Sequence, residues 1–214
     1  MTAPHQLLAV HGLYAITDPH LTPDDRLLPA AEAALFGGAR LLQYRDKTAS
    51  QDQRRRRASQ LRGLCHEYDA LFIVNDDPVL AAEVGADGVH IGQSDGGIAA
   101  ARALLGDQRI IGVTCHGDLA LARSAADAGA DYLAMGRFFA SRTKPQAPPA
   151  AITSLEQACR EFHLPVVAIG GVNADNAPQL IQAGAASVAV IEALFGHSDP
   201  ADIEAAARRI SALF

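Results

Sequence analysis

At 214 residues the chain can bury one sizeable core and suits one barrel with modest loops better than two units, so residues 1–214 are read as a single domain. An apolar content of 49%, rich in Ala, Gly and Val and poor in aromatic residues, argues against a disordered chain. A net charge of −6 argues against general nucleic-acid binding, and no apolar run reaches the roughly 18 residues that cross a bilayer.

Cys65, Cys115 and Cys159 show no C-x-x-C spacing, so neither a disulfide framework nor a zinc knuckle is indicated. With no basic and apolar leader at the N-terminus, a cytoplasmic protein with reduced thiols is expected. The sequence leaves oligomeric state, including a homo-oligomer, open.

In chain order, short β-branched runs alternate eight times with longer Ala-, Leu- and Arg-rich stretches of helical period. The runs fall at 13–17, 40–44, 71–75, 88–92, 110–114, 132–136, 165–170 and 187–191. A Gly-Ala pair precedes four of the units, at Gly38-Ala39, Gly85-Ala86, Gly129-Ala130 and Gly184-Ala185. There Gly can turn left-handed and end the preceding helix. One signal repeated in this way predicts an α/β fold, a single (β/α)8 TIM barrel; a doubly wound open sheet is the alternative. The arginine run 54–57 opens the second helix and reads as solvated, because consecutive residues point about 100° apart.

Chemistry in such barrels sits where strands end, and the strand ends here are polar. They read Thr17-Asp18, Gln43-Tyr44-Arg45-Asp46-Lys47, Asn75-Asp76-Asp77, Gly92-Gln93-Ser94-Asp95, Thr114-Cys115-His116 and Gly170-Gly171, with Ser141-Arg142-Thr143-Lys144-Pro145 beyond the sixth strand. Arg45, Lys47 and Lys144 are cations suited to phosphate oxygens, while Asp76 and Asp95 are hard ligands suited to a magnesium ion that keeps waters and substrate oxygens. Together they read as a diphosphate site. A second phosphate site is expected at Gly170-Gly171, before a helix starting near Asn173, and loop 139–151, stiffened by Pro145, Pro148 and Pro149, reads as a substrate clamp. His90 reads as packed or solvent-facing rather than as a metal ligand.

These motifs, in this order and nearly end to end, resemble the thiamine phosphate synthase family, in its proteobacterial form. The residues that carry the resemblance are 13–18, Gln43 to Lys47, Asn75-Asp76, 85–95, 112–116, Thr143-Lys144-Pro145 and 168–171. The resemblance implies small phosphorylated substrates: a hydroxymethylpyrimidine diphosphate held by Gln43, Tyr44, Arg45, Asp46, Lys47, Asn75, Thr114 and Lys144, with Mg2+ on Asp76 and Asp95. It implies a thiazole phosphate, or its carboxylated form, held by Ser141, Arg142, Thr143, Gly170, Ile191 and Glu192. Catalysis would rest on Arg45, Lys47, Thr114 and Lys144. Glu192 departs from a common Ser, Arg137 and Ala140 from common prolines, and Thr114 replaces Ser. The rival readings are the related thiazole tautomerase, which would lack Asp95 and the Thr143-Lys144 pair, and a non-catalytic phosphate-binding barrel.

Overall fold

The computed structural model describes residues 10–141 and 148–214. Eight parallel strands close in chain order into one barrel, which is the (β/α)8 TIM fold. They are β1 (Gly12–Ile16), β2 (Leu41–Tyr44), β3 (Leu71–Asn75), β4 (Gly88–Ile91), β5 (Ile110–His116), β6 (Tyr132–Met135), β7 (Val166–Ile169) and β8 (Ser187–Val190). The helices between and after them are α1 (Asp24–Phe36), α2 (Gln51–Glu67), α3 (Pro78–Val84), α4 (Gly97–Leu105), α5 (Leu119–Asp127), α6 (Ile152–Glu161), α7 (Ala177–Gln182), α8 (Glu192–Phe195) and α9 (Pro200–Ser211).

Strand alternation divides the core into two shells. Leu13, Ala15, Leu42, Tyr44, Phe72, Val74, Val89 and Ile91 belong to the outer shell between strands and helices. Tyr14, Ile16, Leu41, Ile73, Ile110, Tyr132, Ala134, Val167 and Ala189 fill the barrel itself. The two sets interleave residue by residue, so each strand is buried on both faces, which explains its continuous apolar composition.

The Gly-Ala junctions act as expected. Gly38, Gly85, Gly129 and Gly184 all have positive φ. The amide of the following Ala donates back to the helix at 2.9–3.0 Å, as in Ala39 to the carbonyl of Ala34 and Ala86 to that of Ala81.

Two expectations need correction. No helix starts at Asn173: the Asn173 side chain accepts from the amides of Asp175 and Asn176, and Asn176 Oδ1 accepts from the Asn173 amide, so a loop is capped by its own side chains. The helix begins only at Ala177, with Pro178 in its first turn. Nor is the arginine run simply solvated, because Arg54, Arg55, Arg56 and Arg57 pair with Asp77, Glu83, Asp24 and both Asp24 and Asp46 respectively. Among the described residues no helix is long and apolar enough to cross a membrane.

Candidate active site

A cavity of about 530 Å3 opens at the C-terminal ends of the strands, where the inner shell turns polar. Its floor is a chain of buried side-chain hydrogen bonds. Gln43 Nε2 donates to Tyr14 Oη at 2.8 Å, Tyr14 Oη meets Tyr132 Oη at 3.0 Å, Tyr132 Oη meets His90 Nδ1 at 2.9 Å, and His90 Nε2 meets Thr114 Oγ1 at 2.8 Å.

An amide nitrogen can only donate, and that gives the chain a direction. With every proton on an acceptor, Tyr14 donates to Tyr132, Tyr132 to Nδ1, and Nε2–H to Thr114. His90 is then neutral, the Thr114 hydroxyl is left to donate into the cavity, and Gln43 Oε1 is left to accept. Burial pushes the Tyr14 and Tyr132 hydroxyls above their usual range, so both stay protonated. Tyr132→Phe removes the hydroxyl shared by Tyr14 and His90, and should cost about 1–3 kcal/mol in a urea unfolding series. A midpoint equal to wild type would show that the chain contributes nothing.

The rim holds the charges. Arg45 lines the cavity; its backbone amide donates to Thr17 Oγ1 at 3.0 Å and its Nη1 lies 3.3 Å from Asp18 Oδ2. Its Nε is buried with no hydrogen-bond partner among the described residues, a donor waiting for an acceptor. Lys47 Nζ lies 2.7 Å from Asp76 Oδ2. Partial burial works to raise the Asp76 carboxyl, but Lys47, the adjacent Asp95 carboxyl and Asn75 outweigh it and hold Asp76 below the usual carboxylate range. Asp95 Oδ2 accepts from the Gly92 amide at 2.8 Å, which folds its turn. Asp77, not Asp76, is the N-cap of α3, so the Asp76 carboxylate is left for the site.

Of the residues singled out in the sequence, Gln43, Arg45, Asn75, Thr114, Ser141, Gly170, Ile191 and Glu192 line this cavity. Lys47, Asp76 and Asp95 meet at its edge. Tyr44 does not belong with them, because alternation turns it into the outer shell. Asp46 is turned outward too, its carboxylate taken by Thr48, Ala49 and Arg57. Arg142, Thr143 and Lys144 lie outside the described residues. Sequence reasoning missed Tyr14, Tyr132, Arg137 and Asn173 as site residues, and assigned His90 no role.

The wall formed by the loops after β6 and β7 is closely packed backbone. Phe138 and Phe139 donate to the carbonyls of Ile169 and Gly170 at 3.2 and 2.9 Å. A Cβ on Gly170 would lie 2.6 Å from Arg137 Cα, and one on Gly171 would lie 2.2 Å from the Ala140 carbonyl, so only glycine allows the two loops to meet.

The family model described as thiamine monophosphate synthase matches residues 13–194. The chain belongs to the thiamine monophosphate synthase family. The match to this synthase family runs from β1 into α8 and so takes in every strand end of the cavity. The thiamine-phosphate synthase of Alcanivorax borkumensis is 76% identical over 205 residues, 96% of this chain and 94% of that protein. That of Marinobacter nauticus is 54% identical over 203 residues, 95% and 90% of the two chains. Among solved structures, thiamine phosphate pyrophosphorylase from Pyrococcus furiosus superposes with a TM-score of 0.87 at 35% identity, covering 97% of this chain and 96% of its own.

Proposed function

We propose that this protein joins 4-amino-2-methyl-5-(diphosphooxymethyl)pyrimidine to 4-methyl-5-(2-phosphoethyl)thiazole, forming thiamine phosphate and releasing diphosphate. Beside the family membership, one observation carries the reading: a cavity whose neutral, directional floor adjoins an anion-binding rim, with the buried Nε of Arg45 still lacking an acceptor. A flat aminopyrimidine suits the floor, where Gln43 Oε1 accepts and Thr114 donates. Its diphosphate suits Arg45 and Lys47.

The thiazole nitrogen already has a lone pair. A C–N bond forms as the methylene C–O bond breaks, the electron pair departs with diphosphate, and no general base is needed. The residues therefore work by holding two reactants in line and by stabilising charge on the leaving group. Ser141, Gly170 and Ile191, on the far wall, would hold the thiazole phosphate, together with Arg142 and Thr143, and Lys144 would join Arg45 and Lys47 on the diphosphate.

Asp76 and Asp95 fit a magnesium ion. They are hard oxygen donors close enough to share a hydrogen bond, and the Lys47 ammonium at 2.7 Å marks a place that already attracts positive charge. No group of three or more His, Cys, Asp or Glu that could hold a metal occurs among the described residues, so water and substrate oxygens would have to complete the coordination of an ion on Asp76 and Asp95. Bound there, magnesium supplies Lewis-acid stabilisation of the diphosphate oxygens.

Purified protein given both substrates and magnesium should form thiamine phosphate, read as a fluorescent product after oxidation, and excess EDTA should stop it. No product with all components present sinks the function; full activity in EDTA sinks the metal.

A further inference from the structure

The arginine run of α2 resembles an ordinary charged helix face, yet its members divide. Arg55 and Arg56 are 45% and 57% exposed, whereas Arg54 and Arg57 are 26% and 13% exposed and share one face at i, i+3. Their partners are specific. Arg57 Nη1 lies 2.8 Å from Asp46 Oδ2, and Arg54 Nη2 lies 3.0 Å from Asp77 Oδ2. Asp46 stands between Arg45 and Lys47, and Asp77 directly follows Asp76.

Asp46 organises its loop. Its Oδ1 accepts from the Thr48 amide, the Thr48 hydroxyl and the Ala49 amide at 2.8, 2.8 and 3.1 Å, so one carboxylate folds the turn after Lys47 while its other oxygen is held by Arg57. Arg57 also reaches Asp24 in the first turn of α1 through Nε at 2.8 Å. Asp77 likewise caps α3 through Oδ1 and meets Arg54 through Oδ2. Helix α2 thus grips the two loops that deliver Arg45, Lys47 and Asp76.

From this geometry we infer that Arg57, assisted by Arg54, is a positioning residue for the diphosphate rim: it fixes the backbone that presents Arg45 and Lys47 to the anion without touching it. The inference rests on the proposed function. Lys47 is 60% exposed in its side chain, so apart from its 2.7 Å ion pair with Asp76 the backbone that Asp46 folds sets where the ammonium sits. A carboxylate only 6% exposed that loses its guanidinium must turn to water, and the turn it folds goes with it.

The effect should be confined to one substrate. Arg57→Ala should raise the KM for the pyrimidine diphosphate, and the calorimetric Kd for inorganic diphosphate, by about 10-fold to 100-fold, as supporting-residue changes do at charged sites. The KM for the thiazole phosphate should stay within about twofold, since the strands that carry its wall, β6 to β8, do not neighbour β2 or β3 in the barrel, and a change that small is well below a tenfold step of 1.4 kcal/mol. Arg57→Lys keeps the charge but replaces the fork whose Nε and Nη1 meet Asp24 and Asp46 separately with one compact ammonium, so it should recover part of the affinity and serves if the alanine variant does not fold. Arg56→Ala, which loses an exposed pair with Asp24, should bind as wild type.

Equal KM increases for both substrates, or unchanged diphosphate affinity in Arg57→Ala and Arg57→Lys with only a lower melting temperature, would make Arg57 a fold brace and overturn the inference. A wild-type protein that forms no thiamine phosphate would instead remove the proposed function. Inorganic diphosphate binding distinguishes the two failures.

Discussion

Asp76→Asn should lower kcat by on the order of 10²–10³-fold, the usual consequence of losing one preorganised charge at a site where transition-state charge develops. Asparagine is the informative choice. Asp76 has φ 60°, and its amide donates to the His90 carbonyl at 2.7 Å, so the residue is held in a left-handed conformation that Asn tolerates and Ala does not. Asp76→Asn therefore removes charge with little change of backbone, and its melting temperature should stay near wild type. Asp76→Ala adds backbone strain to the same loss. The half-saturating magnesium concentration should also rise in Asp76→Asn, because one of two carboxylates has become neutral. Near-normal kcat at saturating magnesium would take Asp76 out of the catalytic machinery.

The strands were legible because an inner shell and an outer shell both demand apolar residues, and the Gly-Ala junctions marked where four of them began. The same alternation could have separated Gln43 from Tyr44, the last two residues of β2. Gln43 and Arg45 line the cavity and Lys47 meets Asp76 at its edge, whereas Tyr44 lies in the outer shell and the Asp46 carboxylate is held by Arg57, so the motif divides between cavity and scaffold. The spacing i, i+3 of Arg54 and Arg57 was equally visible, but their partners Asp46 and Asp77 lie in other loops and come near only when the barrel closes.

The hydrogen-bonded floor was not legible at all. Tyr14, Gln43, His90, Thr114 and Tyr132 come from five strands, and nothing local in any of them points to the others. Their contact depends on barrel register, in which Gly112 of β5 stands beside Tyr132 of β6.

That pairing supports the other large expected effect, Gly112→Ala. The Tyr132 ring lies directly over Gly112, and a Cβ there would fall 1.9 Å from Cζ and 2.2 Å from Cε1. The ring has nowhere to go: it is fully buried, stacked on His90 at 5.6 Å and edge-on to Tyr14 at 6.2 Å, with its hydroxyl held from both sides. Overpacking of this kind costs about 1–3 kcal/mol, and breaking the hydroxyl's bonds adds about 1–3 kcal/mol. A barrel of this size should then melt roughly 4–24 °C lower, at about 2–4 °C per kcal/mol. Turnover per folded molecule should fall as well, because displacing Tyr132 lets Gln43 and Thr114 lose their fixed donor and acceptor roles. The cost of Gly112→Ala should shrink in a Tyr132→Ala background, where the new methyl meets empty space, and a double-mutant cycle measures that coupling. Additive effects in the cycle, or a melting temperature within about a degree of wild type, would mean that the ring can move aside and that the floor is not rigid.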